Sequence, residues 1–154
     1  MEFYEDHYDA FRRLYECPAW SSDEYEKVKN DQERNRILEY VFDNPHYSLR
    51  FLREELYKNQ IERNKAIISI LRDPVSCATC LDKIYNKLTS NEIKELFDCA
   101  IMDSKACKLL YKYYSDEQNN FEMNKKQRWK VIKKYYYFLI ILKVNSIILL
   151  KMNK

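Results

Sequence analysis

At 154 residues and net charge +3, the chain is long enough for one modest core. Its 46% apolar and 33% charged residues are ordinary globular usage and exclude wholesale disorder. It has no glycine, where about 11 are expected at average usage. That excludes P-loops, GxGxxG dinucleotide turns and GxSxG nucleophile elbows, and it counts against β-hairpin architecture. Helices tolerate the lack, because asparagine is expected to terminate them instead.

Charge is segregated along the chain. Residues 1–44 carry −6, residues 45–103 carry 0 and residues 104–154 carry +9. The N-terminus, "MEFYEDHYDAF", is acidic and has no apolar core of the secretory kind. With an odd count of five cysteines, that predicts reduced thiols and an intracellular, soluble protein.

In chain order, residues 3–15 set Phe3, His7, Ala10, Phe11 and Leu14 on one helical face, a first half-unit. The following stretch reads as a loop entering a helix, with Ser21 and Glu24 at capping-box spacing. Then comes a repeat. "ERNRILEYVFDNP", from Glu33, returns as "ERNKAIISILRDP", from Glu62, and a fainter third copy runs from Glu92 to Asp103. The stripes Leu38/Val41/Phe42, Ile67/Ile70/Leu71 and Phe97/Ala100/Ile101 each fall at i, i+3, i+4, one side of a helix.

After each stripe the chain restarts. Asn44-Pro45 and Asp73-Pro74 offer a capping side chain followed by proline at the first helical position, and Asp103-Ser104 offers a cap. The next helices carry Ser48/Phe51/Leu52/Glu55, Cys77/Cys80/Leu81/Ile84 and Cys107/Leu110/Tyr111/Tyr114 at i, i+3, i+4, i+7. Thr89 and Glu92 have capping-box spacing. One such hairpin cannot bury its stripe alone, so copies are expected to stack.

The expected fold is therefore all-α: a short α-solenoid of stacked helical hairpins with a period of 29–30 residues, then an apolar C-terminal helix. Boundaries fall at residues 1–118 for the helical-repeat domain, 119–128 for a polar linker and 129–154 for a basic and apolar helix. "NPHYSLRFL", "DPVSCATCL" and the intervening "ERNKAII" resemble short helical-hairpin repeats of phage and bacterial proteins. Those run roughly DP-x-YA-x-x-YA into a Glu-Ala-rich helix ending in the next DP. The resemblance spans about residues 33–115, although the Gly-Arg often found between the two helices is missing here. It implies scaffold-like use and no catalytic residues.

No pattern assigns catalytic, cofactor-binding or metal-ligating residues. In "CATC" (Cys77 to Cys80), Cys80 aligns with Phe51 and Leu110, so a buried thiol is expected rather than a redox or zinc pair. His7 and His46 are the only histidines, and neither has a nucleophile at a recognisable spacing. The candidate interaction surface is Trp129, Lys130, Lys133, Lys134, Tyr135, Tyr136 and Tyr137, where basic and aromatic residues interleave. Residues 135–150 form the most apolar run, broken by Lys143, Asn145 and Ser146. The leading expectation is a non-enzymatic protein–protein interaction scaffold that engages another protein or itself through the C-terminal segment. Nucleic-acid binding through the basic C-terminal third is the alternative, and peripheral membrane contact is a lesser one.

Overall fold

The computed structural model describes residues 24–115 and 123–152. The half-unit at residues 3–15 with His7, and the Ser21 cap, lie outside them. All regular structure among the described residues is helical. The helices are α1 (Glu24–Asp43), α2 (Pro45–Arg53), α3 (Gln60–Ile70), α4 (Pro74–Ile84), α5 (Ser90–Ala100), α6 (Ser104–Ser115) and α7 (Lys125–Met152), with a 3₁₀ turn at Tyr85–Lys87. They fall into two compact units, Met1–Arg72 and Asp73–Lys154.

The repeat marks real boundaries. Asn44 and Asp73 stand in extended conformation before Pro45 and Pro74, and their side chains accept from His46 N–H and from Ser76 N–H. Asp103 accepts from the N–H groups of Lys105 and Ala106, both at 2.9 Å. Helix α1 thus passes to α2 through the single residue Asn44, and α3 and α5 pass to the next helix through three residues, the last of them a capping Asp, with no left-handed residue needed. Thr89 and Glu92 form the full capping box of α5.

Glycine's usual position is filled once among the described residues, and by Glu55, with φ of 57°. Helix α2 ends at Arg53. Glu55 N–H then reaches Leu52 O at 3.1 Å and Leu56 N–H reaches Phe51 O at 3.1 Å, the paired bonds of a Schellman ending. Asn44 is the N-cap expected of it, and Asn59 caps α3 in the same way. The left-handed terminator among the described residues is Glu55 rather than the expected asparagine. Glu55 is exposed beyond the end of α2 and takes no part in its apolar face.

In the first unit, α1 packs on α2 and α3, and α2 packs on α3. Leu38, Val41, Phe51, Leu52, Ile67 and Ile70 are buried, and the Phe42 and Phe51 rings meet edge to face at 5.5 Å. Buried Ser48 donates to Val41 O at 2.8 Å, which explains a polar residue on the stripe.

Two arginines tie α1 down. Arg34 makes a two-pronged ion pair with Glu62, both side chains being largely buried, with the Nη2–Oε2 arm at 2.6 Å. Arg72 donates to the carbonyl of Phe42 in the last turn of α1. Glu62 Oε2 also accepts from Lys58 N–H at 2.7 Å, and Glu62 N–H donates to the capping Asn59 at 3.0 Å. Burial alone raises the Glu62 pKa, but Arg34, then the Lys58 amide, more than offset it and hold the carboxyl below its ordinary value.

In the second unit, α4 packs on α5 and α6, and α6 packs on α7. Cys77, Cys80, Leu81, Phe97, Leu110 and Val131 form its core. Helix α7 starts at Lys125, inside the segment expected to be linker. Asn124 and Gln127 cap it reciprocally, Gln127 N–H to Asn124 Oδ1 at 2.9 Å and Asn124 N–H to Gln127 Oε1 at 3.0 Å. Helix α7 also belongs to the same compact unit as α4, α5 and α6.

Two outcomes follow. Glu55→Gly is expected to stabilise the protein by about 1 kcal/mol in urea denaturation, because a left-handed non-glycine residue carries a penalty of that order. Arg34→Met strands a largely buried carboxylate and should destabilise by about 3 kcal/mol at neutral pH. Glu62's depressed pKa contributes stability that is present above its ordinary value of 4.5 and is lost as pH falls through the folded value. In the Arg34→Met variant that contribution is gone, so urea titrations at neutral and acid pH should show a smaller loss on acidification than in the wild type.

Candidate interaction surface on the C-terminal helix

Helix α7 is 28 residues long, about 42 Å at 1.5 Å per residue. Its first half is held on one side only. Val131, Tyr135 and Phe138, at i, i+4 and i+7, are buried or half-buried. Tyr135 stacks on Tyr111 of α6 with ring centroids 4.3 Å apart and planes 8° from parallel. Cys107 Sγ lies 3.7 Å from the carbonyl of Val131, and Lys130 Nζ lies 3.6 Å from Asp98 Oδ1.

The opposite side faces outward. Trp129 is 67% exposed, Tyr136 55% and Tyr137 56%, and Lys125, Lys126, Lys130 and Lys133 are exposed among them. Lys134, half-buried, holds its ammonium 6.0 Å from the Tyr137 ring centre. Four of the seven candidate residues, Trp129, Lys133, Tyr136 and Tyr137, therefore share one outward side of α7; Lys130, exposed but beside Asp98, and half-buried Lys134 lie at its edge. Tyr135 does not: it is packing, and its place in the candidate surface is corrected on that ground. From residue 123 to the end there are nine Lys or Arg and no Asp or Glu.

The second half of α7 is different again. Residues 141–149 are exposed on every side. Ile140, Leu142, Val144, Ile147, Ile148 and Leu149 are prominent large apolar side chains on this surface. No helix among the described residues is long and apolar enough to cross a membrane. The Ser146 hydroxyl is satisfied within the helix by Leu142 O at 2.9 Å.

A second opening, missed in the sequence, lies in the first unit. An open notch of about 370 Å³ between α1 and α3 is lined by apolar Leu38, Phe42 and Ile61 and by polar Asn35, Glu39, Asn59, Glu62 and Lys65. Ile61 and Ile68 are exposed on the outer side of α3, at i and i+7. The signal was present: Ala66, Ile67 and Ile68 are consecutive, and three successive apolar residues cannot all face one core.

The cysteines sit inside the second unit. Cys77 and Cys80 lie past the first turn of α4 and are buried, as is Cys107. Burial, with a hydrogen bond to Cys99 and the nearby charges of Cys99, Cys80 and Asp73, pushes the Cys77 thiol far above its ordinary range. Burial also raises Cys107 to about 11, Lys134 lowering it and Asp103 raising it by smaller amounts. Such thiols hold little thiolate at neutral pH. Among the described residues, no group of three or more His, Cys, Asp or Glu is placed to hold a metal ion. His46 is exposed in the first turn of α2, next to Tyr47; His7 is outside the described residues.

No protein-family model, curated protein or solved structure matches this chain.

The split of the tyrosines is testable by melting. Tyr135→Ala removes a stacked, half-buried ring and should cost about 2 kcal/mol. Trp129→Ala, Tyr136→Ala and Tyr137→Ala, whose rings are mostly exposed, should each change stability by about 0.5 kcal/mol or less.

Proposed function

We propose that this chain is a non-enzymatic interaction module: a short solenoid of helical hairpins that engages another protein along its faces, with α7 as a second contact element. The observation that carries the reading is the apolar surface left open on a well-capped, ion-paired frame. Ile61 at the notch and Ile68 farther along α3 are exposed, and so are residues 140–149 of α7. Such surface marks contact sites. The likeness to hairpin repeats supports scaffold use, and the reading places the protein inside a cell.

A second reading, nucleic-acid binding, rests on the outward basic and aromatic side of α7, since lysines neutralise phosphates and exposed rings stack on bases. It leaves the apolar far half of α7 without a role.

Both are open to experiment with the intact chain. Captured from cell extract, a true protein partner should be stoichiometric and should fall at least tenfold with Ile61→Lys/Ile68→Lys; an unchanged capture profile would end the claim for the notch. Binding to random-sequence DNA should weaken steeply with added salt if α7 tracks phosphates. Absence of binding at low salt removes the second reading.

A further inference from the structure

We infer that the partner of α7 is an anionic lipid surface, into which the far half of the helix inserts obliquely while the near half lies among the headgroups. The inference rests on the reading of α7 as a contact element and deepens it.

Three observations select lipid over the other occupants. The first is exposure. A groove on a protein covers one side of a helix, but residues 141–149 are exposed on every side. An acyl-chain medium surrounds a helix as this surface requires.

The second is charge. Nine cations and no carboxylate side chain fall from residue 123 onward. Anionic headgroups attract such a segment. Side-by-side pairing of two α7 helices would set eight cations against eight, so a second copy is the poorer fit.

The third is axial order. Along α7 come a basic stretch from Lys125 to Lys134, then aromatics from Tyr135 to Phe138, then the apolar residues 139–150. Charge, aromatic ring and hydrocarbon follow one another in that sequence across a membrane interface.

The dimensions suit entry without crossing. Residues 139–150 are about 18 Å of helix, against a hydrocarbon core of about 30 Å, and no described helix is long and apolar enough to cross. The polar residues within the run fit an oblique pose. Lys125 and Lys143 are five full turns apart, as are Lys133 and Lys151, so these four ammonium groups lie toward one side of the helix. Long lysine stems reach back to the headgroups from there. The Ser146 hydroxyl brings no unmet donor, because it already bonds Leu142 O.

The test uses the full chain and vesicles of phosphatidylcholine with or without a minority of phosphatidylserine. The protein should float with the anionic vesicles and stay behind with the neutral ones. In a Trp20→Phe background, Trp129 emission should shift to the blue on binding. Leu142→Asn/Ile147→Asn/Leu149→Asn alters only exposed side chains and should abolish flotation with an unchanged melting curve. Lys126→Gln/Lys133→Gln should weaken binding about twenty-fivefold, at roughly one fivefold step per cation.

Failure to float with anionic vesicles overturns the inference. So does equal flotation of the asparagine variant. Binding to a DNA duplex but not to vesicles assigns the basic side to nucleic acid. A dimer mass abolished by the asparagine variant, without vesicle binding, assigns α7 to a second copy. In those last two cases α7 is still a contact element and only the lipid assignment falls. If the asparagine variant matches the wild type in flotation, DNA binding and mass, the contact role of α7 falls as well.

Discussion

Chain reversal without glycine is the constraint on which this structure depends. A helix normally ends by placing one residue in the left-handed region, and glycine does so at least cost. Here α1 hands directly to Asn44, and α3 and α5 reach Asp73 and Asp103 within three residues, each of these side chains capping the following helix. Proline after Asn44 and Asp73 reinforces the restart. The sequence repeat is therefore tied to its turns: the same short segment stops one helix and starts the next. Only Glu55, among the described residues, takes the left-handed position itself.

The two halves of α7 illustrate how packing, rather than composition, divides a surface. Tyr135, Tyr136 and Tyr137 are identical and adjacent, yet one stacks on Tyr111 and two face outward. Successive residues on a helix lie about 100° apart, so neighbours cannot share a packed seam. Contact with α6 accounts for the near half. Beyond it the helix continues with its apolar side chains uncovered. The lysines and exposed rings give the near half a chemistry of its own, set beside the uncovered apolar far half.

Much of the frame was legible in the sequence because it is written in local rules. The i, i+3, i+4 stripes at Leu38/Val41, Ile67/Ile70 and Phe97/Ala100 are buried, and the caps at Asn44, Asp73 and Thr89 are formed. Less legible were features that need two distant segments. The pairing of Arg34 with Glu62 joins a residue of one copy to a residue of the next, and composition cannot say which of many charges will be enclosed. The early start of α7 was hidden because Asn124 and Gln127 sit in a polar stretch that reads as loop until their mutual capping is seen. The candidate surface was found through interleaved lysine and aromatic residues. Assigning Tyr135 to the inside required knowing that α6 presents Tyr111 there.

All four cysteines among the described residues lie in the second unit, and three of them are sealed in its interior, burial holding the thiols of Cys77 and Cys107 protonated. A thiol so placed reacts with an alkylating reagent only when its surroundings come apart. The molecule thus carries its own clock for that half: the pace of cysteine modification counts spontaneous openings of the α4–α7 unit.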